Sequence, residues 1–251
     1  MPAAYTQTFR RPLYWKVVKV GVIQSSFIPW RGYFDFVASV DLFVFYDDVQ
    51  YSKGSWRNRN RIKCHDGTRW LTVPVRHRSL RQRIDEIKID NSKNWRLKHA
   101  MLWTEEYADA PFFNDAEAFA KEIASCISPT LTQLNIRLIR SICTYLSIST
   151  PTILSSELKL EGARTERLIS LLRAVGGTTY LSGPSADSYL EKGRFEEAGI
   201  RLEYKSYDYE PYPQLWGPFE GAVTVLDLIA NCGPQSKTLM RSTTPNRVVI
   251  P

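Results

Sequence analysis

Apolar positions along this chain follow two periods. Val17, Val18, Val20, Val22 and Ile23 form a nearly continuous run, which predicts a buried strand over 17–24. SSFIPW reads as a turn, with Pro29 expected to hold Ile28 extended. Tyr33, Phe34, Phe36, Val37 and Val40 then recur at helical spacing and predict a helix over 31–39. LFVFY at 42–46 is a second apolar strand. Strand, helix and strand in so short a span fit a right-handed parallel βαβ unit.

The rest of the chain alternates in the same way. A hairpin is predicted from 60–63 and 70–75 about Asp66-Gly67. A basic loop over 76–83 and a weakly alternating strand at 84–89 follow. Asn91 or Ser92 caps a helix running through Trp103, and 112–124 and 131–146 are helical in pattern, the last clearly amphipathic. Strands are predicted at 151–155, 179–182 and 200–204, with helices at 164–175 and 223–229. The tail has no clear period. This rhythm predicts an α/β fold: a mostly parallel sheet with flanking helices and a helical insertion at about 92–147. Residues 1–16 read as an N-terminal extension before a single domain spanning 17–251.

Composition narrows the class. Hydrophobic residues make up 43% and charged residues 24%, as in globular proteins. No apolar run approaches the roughly 18 residues of a membrane span. Four scattered cysteines form no CxxC pair and no zinc spacing, so reduced thiols and a cytoplasmic location are expected. Cys64 beside His65 resembles a nucleophile pair in sequence, but neighbouring side chains diverge on most backbones. The net charge of +7 is a local excess between Lys53 and Arg83, suited to attracting phosphates or an acidic partner. It is not a long basic run, and no DNA partner is expected.

In a βαβ unit ligands bind beyond the carboxyl ends of the strands. Gln24, Ser25 and Ser26 follow the first strand, and Asp47 and Asp48 follow the second. The two aspartates point in different directions, so one of them is the expected general base or ligand anchor. No third carboxylate or histidine stands at a familiar spacing, so no metal is expected, and no cofactor is identifiable. On an extended segment Asn58 and Asn60 share one face while Arg59 and Arg61 share the other. The asparagines suit an oxyanion, the arginines a phosphate. His99 falls with Trp95 and Leu102 on one helical face, as a core histidine or a base. Ser155-Ser156-Glu157 and Ser182-Gly183 are short loops after strands. Histidine nucleotidyl-transfer, glycine-rich phosphate, HExxH and GxSxG motifs are all missing.

Taken together, VIQSSFIPWRGYFDFVASVDLFVFYDDVQYSKGSWRNRNRIK, WLTVPV, Asp90 with Trp95 and His99, SSEL, YLSG with YL, YPQ and VLDLIANCG resemble the WbqC-like family of bacterial proteins, in the family's order. Many relatives read QP or QPNY where this chain has Gln24-Ser25-Ser26-Phe27. The resemblance implies a role in O-antigen or other surface-polysaccharide synthesis, with transfer of glycine or a related aminoacyl group to a sugar. It adds weight to Gln24, Asp47, Asp48, Gln50, Tyr51, Asn58, Asn60, Arg61 and His99. The leading expectation is an aminoacyl- or acyltransferase on a nucleotide-linked amino sugar. His99, Asp47 or Asp48 is its base, and Gln24, Gln50, Tyr51, Asn58, Asn60, Arg61, Ser156, Ser182 and Gly183 hold the substrate. An acyl-carrier protein or aminoacyl-tRNA is the candidate donor. A nucleotidyltransferase and a non-catalytic nucleotide-sugar scaffold are the alternatives.

Overall fold

The computed structural model describes residues 18–79 and 81–251; the N-terminal extension lies outside them. In chain order the elements are β1 (Lys19–Ile23), α1 (Arg31–Val37), β2 (Leu42–Phe45), β3 (Arg59–Cys64), β4 (Gly67–Thr72), β5 (Val75–Arg76), β6 (Lys88–Ile89), α2 (Trp95–Tyr107), α3 (Phe113–Ser125), α4 (Leu131–Tyr145) and β7 (Thr152–Leu154). Then come α5 (Arg164–Ala174), β8 (Thr179–Ser182), α6 (Lys192–Glu197), β9 (Arg201–Tyr204), α7 (Val225–Cys232), α8 (Ser236–Leu239) and β10 (Arg247–Ile250).

A six-stranded sheet runs in the order β10-β9-β8-β1-β2-β7. Every pairing is parallel except β9 with β10. The chain leaves β1 toward β2 and β7, then returns to the other side of β1 for β8 and β9. The strand order therefore reverses between β1 and β8, where open α/β sheets leave a crevice.

The period-two alternation of the strands divides two cores. Val20, Val22, Leu42, Val44 and Tyr180 face the layer containing Ile169, Leu172 and Phe195 of α5 and α6. Phe43, Phe45 and Leu181 face the larger layer of α1, α2, α3, α4 and α7. Gly21 lies on that second face. A Cβ there would fall 2.4 Å from Phe36 Cε1, so glycine is what lets α1 settle on β1.

Three local expectations are corrected. The tail forms β10, whose register shifts between Val248 and Ile250. That irregularity and the exposed Arg247 and Val248 leave no alternation to read. The strand expected at 84–89 is a single turn at Ile84–Glu86 followed by the two-residue β6. The turn closes because Ile87 N–H donates to the Ile84 carbonyl at 3.1 Å. Ile28 is not extended: its φ is +35°. Its carbonyl accepts from Asn60 Nδ2 at 2.8 Å and Thr224 Oγ1 at 2.7 Å. A β-branched residue in that region costs on the order of 1–3 kcal/mol and persists only where the surroundings hold it. Among the described residues no helix is long and apolar enough to cross a membrane.

Candidate functional site

A cavity of about 520 Å³ opens beyond the carboxyl end of β1, beside the reversal point of the sheet. Five segments build its walls. Ile23 and Ser26 come from the end of β1, and Trp30, Arg31 and Tyr33 from the start of α1. Trp56 and Arg57 come from the approach to β3, Asn60 from β3 itself, and Tyr207 and Tyr209 from the segment after β9. Gly221 and Ala222 close one side.

Each wall residue has a visible support. Trp30 folds back over the first turn of α1 because Gly32 has no Cβ, which would lie 2.4 Å from Trp30 Cζ2. Its ring then packs 5.3 Å from Tyr207 and 5.7 Å from Tyr209. Asp35 fixes Tyr209, accepting its hydroxyl at 3.0 Å, and is itself paired with buried Lys205 at 2.6 Å. Asn60 holds the strained turn through the carbonyls of Phe27 and Ile28.

The electrostatics have one sign. Arg31 is 4% exposed. Its Nη1 donates to the carbonyls of Glu210 and Leu239, and its guanidinium stacks 4.6 Å from the Tyr209 ring and 5.1 Å from that of Tyr212. Among the described residues its buried Nε has no partner. Arg57 Nη1 donates to Gln24 Oε1 at 2.9 Å, and Asn135 Nδ2 grips the Arg57 carbonyl at 2.8 Å. Burial lowers both guanidinium pKa values from the ordinary 12.5, and nearby tyrosines act against it; for Arg57 so does Asp47. Burial raises Tyr33, Tyr207 and Tyr209 above the ordinary tyrosine range. At neutral pH the lining therefore carries two positive charges and neutral phenols. Among the described residues no carboxylate lines it.

Most residues singled out by sequence do not converge there; of that set, among the described residues, Ser26 and Asn60 line the cavity. Asp47 and Asp48 diverge to opposite faces, as adjacent residues do. Asp47 accepts from Ser25 N–H at 2.7 Å, Ser25 Oγ at 2.6 Å and Thr132 Oγ1 at 2.7 Å. Asp48 accepts from Ser155 Oγ and, at 2.5 Å, from Arg167 Nη2. Both carboxylates serve the surrounding protein. Gln24 acts one step back, by holding Arg57. Asn58 Nδ2 staples the hairpin to the Val73 carbonyl at 2.9 Å. Tyr51 is buried with its ring 5.6 Å from His77, and Gln50 sits exposed in a bridge to Arg83. Ser156 is exposed, and its neighbour Ser155 is the one that meets Asp48. Ser182 donates to the Tyr180 hydroxyl at 3.3 Å, while Gly183 lies near Tyr207 outside the lining. Arg61 is on the outer face of the hairpin.

His99 is embedded in the helical layer. Its ring lies 5.1 Å from Trp95 and 6.0 Å from Phe27. It borders a separate apolar gap of about 10 Å³ with Ile28, Leu71, Trp103 and Leu226. Burial lowers its pKa to about 4, against a hydrogen bond with the Thr72 backbone that raises it. Because the folded value lies below the ordinary 6.5, the unfolded chain binds more protons between the two. The resulting stability is complete above pH 6.5 and is lost as pH falls toward 4. We expect His99→Leu to remove up to about 2 kcal/mol of the loss that the parent suffers between pH 7 and pH 5. Urea midpoints at the two pH values read this out. An unchanged pH difference would contradict it.

Among the described residues one cluster has metal-ligand chemistry. Cys64 Sγ and carboxylate oxygens of Asp66 and Glu106 all lie within 4.8 Å of one another. It is already occupied by protein charge: Arg69 is 2.7 Å from Asp66 and 3.6 Å from Glu106, and His65 Nδ1 is 3.1 Å from Glu106. Burial and Glu106 push the Cys64 thiol up to about 12, which keeps it protonated. All four cysteines are free and buried.

Sequence reasoning missed Arg31, Arg57, Trp30, Trp56, Tyr207 and Tyr209. The partial signal was the dipeptide Trp-Arg, which occurs at Trp30-Arg31, Trp56-Arg57 and Trp95-Arg96 and lines the cavity at the first two, together with the tyrosine-rich stretch after β9.

Comparison with known proteins gives three findings. The WbqC-like protein family matches residues 24–239. The uncharacterized protein Rv1507c of Mycobacterium tuberculosis is 43% identical over 233 residues, covering 89% of this chain and 97% of that protein. No solved structure matches.

Proposed function

The chain belongs to the WbqC-like protein family, and from that premise we propose that its cavity binds a nucleotide-linked amino sugar. One observation carries the reading: Arg31 and Arg57 line one cavity that, among the described residues, no carboxylate lines. A diphosphate supplies the missing negative charge, and guanidinium forks suit phosphate oxygens. Trp30, Trp56, Tyr33, Tyr207 and Tyr209 offer flat faces for a base and a sugar ring. The volume falls within the usual range for small-molecule sites, about 300–1,000 Å³.

The reaction proposed for this ligand is aminoacyl transfer. The sugar nitrogen attacks the donor carbonyl, the bond from that carbonyl to its carrier breaks, and the amine proton leaves with the carrier. The cavity's part is to place the amine and to stabilise the developing oxyanion with Arg57. No lining group is a base at neutral pH, since the tyrosines are shifted upward and the arginines stay protonated. That observation favours a second reading, a nucleotide-sugar holder without turnover.

Calorimetry separates these proposals from their failure. Uridine diphosphate glucosamine and uridine diphosphate are expected to bind at least about 10-fold more tightly than free glucosamine, the order of a charge-assisted contact. Equal affinity for the free sugar, or no affinity for either diphosphate, would sink the binding proposal. A mass gain on the sugar in the presence of an activated aminoacyl donor then distinguishes transferase from holder.

A further inference from the structure

The β3–β4 ribbon has an outer face that the cavity does not use. Its register places Arg59 opposite Thr72 and Arg61 opposite Trp70. Asn60, Ile62 and Leu71, on the other face, are buried. Trp70 is 44% exposed, and it packs 5.3 Å from Trp56, which is 45% exposed. The Arg59 guanidinium lies 4.2 Å over the Trp70 ring and that of Arg61 5.9 Å from it. Among the described residues both buried Nε atoms lack partners and neither guanidinium forms an ion pair. Between Lys53 and Arg83 the chain holds one carboxylate, Asp66, and Arg69 already engages it.

Two adjacent indoles left open to water beside two uncompensated arginines call for a partner with flat apolar faces and regular negative charge. A single-stranded nucleic acid has both. Its bases stack on aromatic side chains without sequence preference, and its phosphates pair with arginine. A duplex hides its base faces inside the stack, and an acidic protein surface offers the arginines a counter-charge but nothing flat to the indoles. We propose that this ribbon face binds a single-stranded nucleic-acid end, with bases on Trp70 and Trp56 and phosphates at Arg59 and Arg61. Trp56 also lines the cavity, so a strand held there ends at the cavity mouth. In the acyl-transfer reading such a strand carries the donor group; that role rests on the reading, whereas the binding does not.

The test uses the full chain and a fluorescein-labelled 12-nucleotide RNA, read by anisotropy at 50 and 200 mM salt, with a duplex of equal length as control. The single strand is expected to bind more tightly than the duplex and to weaken with salt. Trp70→Ala is expected to lose about 10-fold in affinity for the strand, Trp70→Phe to recover most of it, and Arg59→Ala with Arg61→Ala to flatten the salt dependence. Binding of uridine diphosphate glucosamine should be unchanged in Trp70→Ala, so failure here and failure of the cavity reading are separable. Preference for the duplex, no binding of the strand at 50 mM salt, or strand affinity untouched by Trp70→Ala would overturn the inference.

Discussion

Replacing Arg57 by alanine is expected to weaken binding of uridine diphosphate glucosamine by about 10- to 150-fold. That corresponds to losing one hydrogen-bonding charge worth roughly 1.5–3 kcal/mol. Arg57 suits the test better than Arg31. Arg31 is almost fully enclosed by Tyr209, Tyr212 and Phe219, so its removal also empties packed space. Arg57 is half-buried, and its side chain donates to the neutral Gln24 amide, which tolerates its loss. Arg57→Lys keeps the charge without the fork and should recover part of the affinity. Calorimetry on three proteins with matched melting temperatures measures this. Affinity within threefold of the parent in Arg57→Ala would remove this residue from the ligand site, leaving Arg31 without its counterpart.

The frame of the site was legible in the sequence; its lining largely was not. The alternation of Val20, Val22, Leu42 and Val44 with Phe43 and Phe45 set the sheet and its two faces, because burial on both sides leaves strands little choice of residue. The carboxyl end of β1 followed as the place for a ligand. Side-chain direction did not follow. Asp47 and Asp48 look like reagents in a sequence, yet both turn into the protein, where Ser25, Thr132, Ser155 and Arg167 wait from distant segments. His99 looked ambiguous, and in the fold its ring packs against Trp95 and Phe27, outside the cavity lining. Arg31 and Arg57 looked like ordinary basic residues because nothing local says that an arginine will lack a carboxylate. The tyrosines after β9 needed the crossover to β8 and β9 before they could face α1. The turn at Ile28 reversed a sound local rule, since Asn60 and Thr224 hold its carbonyl against the preference of a residue before proline.

That turn bears on Asp47, whose replacement should have the largest effect on stability. Its carboxylate is 3% exposed and accepts two hydroxyls and one backbone N–H. Asp47→Ala leaves those donors without an acceptor and should cost about 3–5 kcal/mol, a large share of the roughly 5–15 kcal/mol a domain has. Desolvation raises the Asp47 pKa above its ordinary 3.8, outweighing the bonds from Ser25 and Thr132 and the charge of Arg57. The folded chain therefore holds this proton to higher pH than the unfolded chain does. Stability from this group falls as pH rises from 3.8 through the folded value, and at neutral pH the buried charge is carried at a cost. Asp47→Asn removes that charge but keeps an acceptor, so it should cost less than Asp47→Ala and flatten the pH dependence. Urea titrations at pH 5 and pH 7 check both signs. The effect reaches the ligand through a chain of bonds: Asp47 holds Ser25, Asn135 donates to Ser25 Oγ at 3.2 Å and to the Arg57 carbonyl at 2.8 Å, and Ser26 and Arg57 line the cavity. Asp47→Asn should accordingly shift sugar-nucleotide affinity only modestly, by less than Arg57→Ala does. A larger loss, at unchanged stability, would return Asp47 from a positioning role to direct contact with the ligand.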